Sequence, residues 1–248
     1  MNWLGGYMIF LGSFQVSFHP IKGNTIDWIN AHEILAKLIH GLNGIEYNVL
    51  PSGCHHIHND IIISALNADN EDDEIDIYYS ISLFKRRDVT RDPRTEIIYR
   101  SLGVIVTQSA PFGAIAKELE SINIDIFSDE SKGPHLASIF NHSYQINEDT
   151  TENAIQRLSN KRNLMELFKA LLTHKRVLFY SLTPLKDTCM ECNIVYALFK
   201  VFNFTPCHNY YLYNVSLRDI PLLEKRKFYV ACIKNINSHE RHFREIAS

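Results

Sequence analysis

Three groups of residues in this chain have the types and spacing that could do chemistry. Cys54, His56 and His58 fall on alternate positions, so the two-residue period of a strand would put all three on one face. With His55 and Asp60 beside them they could offer zinc its usual nitrogen, sulfur and oxygen ligands. Structural zinc sites draw ligand pairs from two separated segments, however, and no second Cys/His pair is spaced to complete one. A polar turn entering a strand is the better account. Cys189-Met190-Glu191-Cys192 spells C-x-x-C at the expected start of a helix, where the dipole would lower a thiol pKa and where thioredoxin-like dithiols sit. Cys192 also falls on an apolar stripe with Val195, Tyr196 and Phe199, which makes at least one sulfur a core atom. The acidic run Asn67 to Asp76 fails as a calcium loop. Counting from Asp69, Glu74 stands where glycine is needed and Ser80 where a bidentate glutamate is needed.

Other chemistries lack their motifs. The chain has no G-x-x-x-x-G-K-[ST], no G-x-G-x-x-G and no G-x-S-x-G elbow. The loop Ser181 to Thr188 contains no glycine whose backbone could approach a phosphate. No cofactor, bound metal or covalent catalytic group is therefore expected, and a metal- or thiol-dependent enzyme is the weakest reading. Binding another protein is the favoured way of working.

The elements that must position these residues follow from periodicity. Tyr7 to Phe18 and Thr25 to Ile29 read as strands around a Pro20 to Asn24 turn, with a helix over Ile29 to Leu42. Ile45 to Leu50, Asp60 to Leu66, Ile75 to Phe84 and Ile97 to Val106 read as further strands, with Arg86 to Arg94 as an exposed loop. Pro111 opens a helix to about Ser121. Ser128 to Thr151 is polar and reads as a linker, with a short apolar turn at Leu136 to Phe140. Beyond it the chain alternates: helix 152–174, strand 177–181, helix 189–203, strand 210–215, a turn at Arg218 to Pro221, strand 228–233, and a fraying tail from Ile236. The first half thus predicts an α+β lobe with an antiparallel sheet, the second an α/β lobe with a mainly parallel one.

Composition agrees with a folded, non-basic protein. Hydrophobic residues at 46% against 21% charged can fill a core, and a net charge of −3 gives no electrostatic reason to bind nucleic acid. Lys85-Arg86-Arg87 and Lys225-Arg226-Lys227 read as solvated loops. Five cysteines, an odd number, suit reduced thiols better than a disulfide framework. No run approaches the roughly 18 apolar residues of a membrane span, and the N-terminus lacks the basic region of a signal peptide.

Four stretches carry a resemblance. THKRVLFYS (Thr173 to Ser181), followed by a helix containing VYALFKVF, resembles the central segment of DENN domains. SFHPIKGNTIDW (Ser17 to Trp28) is similar to the opening hairpin of the DENN upstream subdomain. GIEYNVLPSGCHHIHNDIII (Gly44 to Ile63) and YRSLGVIV (Tyr99 to Val106) look like the LCHN-type branch. VSLRDIPLLEKRKFYVACIKN (Val215 to Asn235) resembles the family's later strand, turn and strand. The resemblance implies a longin-like upstream subdomain over 1–127, a linker over 128–151 and a central DENN α/β subdomain over 152–248, with the helical downstream subdomain missing. It implies a regulator of Rab-family small GTPases, as a guanine-nucleotide exchange factor or as a non-exchanging scaffold in vesicle traffic. The GTPase-binding surface it implies includes Asn24, Asp27, Trp28, Lys186, Asp187, Arg218 and Asp219. A second protein completing the downstream subdomain and a cytoplasmic location with peripheral membrane recruitment are further expectations.

Overall fold

The computed structural model describes residues 10–31, 44–50, 57–66, 77–91, 94–107, 112–122, 136, 164–181, 185–201, 211–215 and 217–234. Eight strands form one mixed sheet: β1 (Phe10–His19), β2 (Gly23–Ala31), β3 (Asn59–Leu66), β4 (Tyr78–Arg91), β5 (Arg94–Thr107), β6 (Val177–Ser181), β7 (Tyr211–Val215) and β8 (Val230–Lys234). Their order across the sheet is β2-β1-β5-β4-β3-β7-β8-β6. Among the described residues the helices are α1 (Ile45–Asn48), α2 (Phe112–Ser121), α3 (Leu164–Leu172), α4 (Lys186–Val201) and α5 (Ile220–Lys225), the last preceded by a 3₁₀ turn at Leu217–Asp219.

The fold is mixed α/β, as expected, but the two expected sheets are joined into one. β1 to β5 pair antiparallel throughout, β6 and β7 each pair parallel with β8, and Ser64 of β3 pairs with Tyr213 of β7 to fuse the sets. Tyr213 makes this junction at φ 55°, beside a register shift in β7, and its buried ring lies between Tyr79 and Phe112 at 5.3 and 5.4 Å. Aromatic packing from both halves thus holds a backbone conformation that tyrosine rarely adopts.

Strand composition follows burial. β8, Val-Ala-Cys-Ile-Lys, is buried from Val230 to Ile233, as an interior parallel strand must be. β3 is equally apolar, with Ile61, Ile62 and Ile63 all buried. Gly103 of β5 faces Phe14 of β1, and the phenyl ring occupies the space a side chain would take.

Several expectations are corrected. Ile45 to Leu50 is a helix and not a strand: Gly44 enters it at φ 94°, and Ile45 and Val49 bury one face four residues apart. Arg86 to Arg94 is no loop, because β4 and β5 continue as a paired ribbon to Arg91 and Arg94. The helix with the C-x-x-C motif begins at Lys186, three residues before Cys189. Ile29 to Ala31 belongs to β2, so no helix starts at Ile29. The turn at Arg218 to Pro221 is the 3₁₀ turn and α5.

The end of α3 is built as its sequence asks. His174 sits at φ 50°, with its N–H donating to Leu171 O and that of Lys175 to Ala170 O, the two bonds of a Schellman stop. Arg176 then donates to Glu224 O and Arg226 O at the end of α5, placing positive charge where that helix is negative. The expected linker 128–151 apart from Leu136, residues 152–163 of the expected helix and the expected tail from 236 lie outside the described residues.

Pairing directions place several connections at one end of the sheet. β1, β4, β6, β7 and β8 finish there, and β2, β3 and β5 start there. The β1–β2 turn, the β4–β5 ribbon, Asp60, the start of α4 and the 3₁₀ turn therefore share that end.

Candidate functional site

The four-residue helix α1 fastens distant strands to one another. Asn24 Nδ2 of β2 donates to Glu46 O at 2.9 Å. At the other side Asn214 Nδ2 of β7 donates to Asn48 O at 3.2 Å, and Ser64 Oγ of β3 approaches the same carbonyl at 3.5 Å. Such bonds occupy the carbonyls that a short helix leaves open. The guanidinium of Arg218 lies 3.9 Å above the ring of Tyr47, a cation–π contact of about 0.5–1 kcal/mol at an exposed site. Asn24 and Arg218, both expected at a binding surface, thus meet on one small helix. Asp219 follows Arg218 at the N-cap position of α5.

The start of α4 is fixed by a residue 125 positions away. Asp60 is 4% exposed, and its carboxylate accepts from the backbone N–H of Leu185 at 2.8 Å and of Lys186 at 3.1 Å. Two amides that an isolated helix would leave unpaired are satisfied, and the negative charge sits at the positive end of the helix dipole. Lys186 Nζ reaches Glu120 Oε1 of α2 at 2.6 Å, and Asp187 is exposed in the first turn. Lys186 and Asp187 are thereby held at the same end of the sheet as Arg218.

Asp27 and Trp28 take opposite environments. The Asp27 carboxylate is exposed and accepts from Gln15 Nε2 at 2.9 Å and Ser17 Oγ at 2.6 Å, at an irregularity in the β1–β2 register. Trp28 is 5% exposed and part of the core, so it supports its neighbours and does not present itself.

The described cysteines are core atoms, as the apolar stripe through Cys192 predicts. Cys189, Cys192 and Cys232 are all fully buried, with the Cys189 and Cys232 sulfurs 3.3 Å apart. Hydrogen bonding to Cys232 and burial push the Cys189 thiol well above its ordinary value of 9.0, and burial pushes up Cys232 and Cys192. A nucleophilic or redox dithiol needs the opposite shift. Among the described residues no group of three or more His, Cys, Asp or Glu residues could hold a metal. Cys54, His55 and His56 lie outside the described residues, as does the acidic run 67–76; His58 is exposed and Asp60 is committed to α4.

One consequence is testable. With folded pKa values raised, the native chain keeps protons that the unfolded chain releases above pH 9.0, so this stability is present below pH 9.0 and lost as pH climbs through the folded values. The unfolding free energy from urea titrations is expected to fall by up to about 1.4 kcal/mol per pH unit per thiol in that range. A value unchanged between about pH 8 and pH 10.5 would contradict the burial of the three thiols.

Glu46, Tyr47, Asn214 and Glu120 were not marked by any sequence pattern. Their roles depend on pairings across 22 to 171 positions, for which one-dimensional periodicity carries no signal. No helix among the described residues is long and apolar enough to cross a membrane.

Comparison with known proteins agrees with this arrangement. The family model described as DENN domain-containing protein 11 matches residues 10–164, which include the strands β1 to β5 and the helix α2. A second model, described as Stabilization of polarity axis, matches residues 152–242, the alternating part with α3 to β8. No curated protein matches the chain. The two matches meet within 152–164, and the first covers more than half of the sequence: the chain belongs to the family of DENN domain-containing protein 11.

Proposed function

We propose that the chain binds a Rab-family small GTPase and accelerates release of its GDP. In this reading residues 1–127 form a longin-like upstream subdomain of the LCHN-type branch, and 152–248 a central DENN subdomain with 128–151 as linker. The observation that carries it is the convergence on α1: Asn24 from the opening hairpin and Arg218 from the loop after β7 meet there, while Asp60 holds Lys186 and Asp187 at the same end of the sheet. One surface assembled from both halves can grip a partner whose switch regions change shape with the nucleotide.

Exchange of this kind needs no nucleophile or general base. The protein must bind the nucleotide-free GTPase more tightly than the GDP-bound form, and that difference expels GDP. Moving a partner from 1:99 to 99:1 requires a preference of about 10⁴, within the capacity of a protein interface. The basic groups Arg218 and Lys186 and the carboxylates Asp27, Asp187 and Asp219 supply charge complementarity, and exposed Tyr47 supplies an aromatic anchor. In this reading the chain is cytoplasmic and reaches membranes through its partners. Exposed Met165 and Leu172 of α3 and Tyr180 of the outer strand β6 are where a second protein would pack.

The test is release of fluorescent GDP from a panel of purified Rab GTPases, with and without the chain. Acceleration of one or a few is expected, and Arg218→Glu and Lys186→Glu are each expected to reduce it about tenfold or more. No acceleration across the panel by a folded chain would overturn exchange, and binding without release would make it a non-exchanging scaffold.

A further inference from the structure

A bulge in the opening hairpin aims an acid. Gln15 of β1 pairs with Trp28 of β2 and Val16 pairs with Ile26, so Asp27 is the extra residue between them, the arrangement by which a strand redirects a side chain. Its carboxylate meets the face of β1 that carries Gln15 and Ser17, where Gln15 Nε2 donates to one oxygen at 2.9 Å and Ser17 Oγ to the other at 2.6 Å. Each oxygen keeps a lone pair for a further donor.

These three residues line an open groove of about 670 Å³. Phe18, Pro20, Ile21, Ile97 and Ile98 give it apolar walls. The wall at Ile21 is held by His19, whose Nδ1 accepts from the N–H groups of Ile21 and Lys22 at 3.2 Å each. Apolar walls with a few convergent polar groups are the usual make-up of a binding pocket of this size.

Gln15 sets the chemistry of the occupant. It is 1% exposed, and among the described residues its Oε1 has no hydrogen-bond partner. The charge of Asp27 fixes the amide with Nε2 towards the carboxylate, because the reversed amide would set oxygen against oxygen. A buried acceptor is left over, and it is destabilising until a donor reaches it. The groove therefore calls for N–H donors that carry positive charge.

We propose that the groove receives an arginine side chain of a partner protein, its guanidinium against Asp27 and Gln15 and its aliphatic stem along Ile97 and Ile98. Five donors in a planar fork can serve both carboxylate oxygens and a neighbouring amide oxygen. A weakly hydrated guanidinium also suits apolar walls better than the compact, strongly hydrated ammonium of lysine. An anion fits less well: Asp27 would repel it, Gln15 Oε1 would stay unmet, and Arg100, opposite Ser17 in β5 and also lining the groove, is already engaged. The inference rests on the reading of the opening hairpin as part of a protein-binding surface, and it names the kind of side chain that the surface grips.

The test titrates the isotope-labelled chain with N-acetyl-arginine amide, with no GTPase present, and follows the side-chain amide signals of Gln15 by NMR. Saturable shifts are expected at millimolar probe, on the order of 1–10 mM, while N-acetyl-citrulline amide, alike in shape but neutral, is expected to leave the signals in place. Asp27→Asn is expected to weaken binding at least about tenfold and Gln15→Met about threefold. Arg100→Gln is expected to strengthen it about threefold, since a like charge leaves the groove. Unchanged melting temperatures verify that the variants fold, and Asp27→Asn, at an exposed position, carries the test should Gln15→Met melt early. Equal shifts with the citrulline probe, no saturation below about 50 mM, binding indifferent to Asp27→Asn, weaker binding in Arg100→Gln, or preference for the lysine or aspartate analogue would each overturn the proposal. Because no GTPase enters the titration, a failure here and a failure of GDP release are read separately.

Discussion

Replacing Asp60 by alanine is expected to lower the unfolding free energy by about 3 kcal/mol, one of the largest single-residue effects in this chain. The carboxylate is buried and accepts from two backbone amides at the start of α4, at 2.8 and 3.1 Å. Hydrogen bonds to a charged partner contribute about 1.5–3 kcal/mol each, and alanine would leave both amides without an acceptor in the interior. For a chain of this size that loss corresponds to a drop in melting temperature of about 6–12 °C. Asp60→Asn keeps an oxygen acceptor but not the charge, so it is expected to recover more than half of the loss. Thermal unfolding of the two variants checks this, and an alanine variant within about 1 kcal/mol of the parent would mean that water replaces the cap. Because Asp60 fixes Lys186 and Asp187, the alanine variant is also expected to lose the proposed acceleration of GDP release ahead of global unfolding.

The second large effect is expected at Gly103. A Cβ there would stand 2.8 Å from Phe14 Cε1 and 2.9 Å from the backbone oxygen of Ile81. One of these neighbours is backbone of the adjacent strand and cannot step aside, so the ring of Phe14 must move within a core where it is fully buried. Overpacking of this kind costs about 1–3 kcal/mol, and Gly103→Ala is expected at the upper end of that range because the clash falls in the middle of β5. Trimming the ring relieves it. Phe14→Leu is expected to cost about 1 kcal/mol in the parent and nothing, or less than nothing, beside Gly103→Ala. A double-mutant cycle by thermal unfolding reads the coupling. Strict additivity would show that the two residues do not share the space.

Both effects lie at contacts between segments far apart in the sequence, and this marks the limit of what could be read beforehand. The strands β3 and β8 were legible because continuous apolar runs announce burial on both faces; the same signal found β6, which is not covered on both faces but is the outer strand, with Tyr180 exposed. The stop after α3 was legible because His174 and Lys175, whose N–H groups close it, are local to it, whereas Arg176 turned out to serve the end of α5. Ile45 to Leu50 misled because Ile45, Tyr47 and Val49 satisfy a period of two while Ile45 and Val49 also satisfy a period of four. Only Gly44, at φ 94°, breaks the tie. Arg86 to Arg94 misled because charged residues and a nearby proline imitate a loop, although a two-stranded ribbon that outruns its neighbouring strands tolerates them equally well.

By itself the sequence determined the alternation of elements, the apolar content of the central strands, the absence of nucleotide-binding and hydrolase motifs, and the pattern by which the chain belongs to its family. These are properties of residues close in sequence, where periodicity and local motif have physical meaning. Tertiary structure alone decided that two sets of strands become one sheet through Ser64 and Tyr213, and that Asp60 caps a helix 125 positions away. It also brought Arg218 over Tyr47. Each of these depends on register and on pairing across a long stretch of chain. Such contacts are selected by the burial and hydrogen bonding of the whole fold, and no residue involved carries a local mark of its partner.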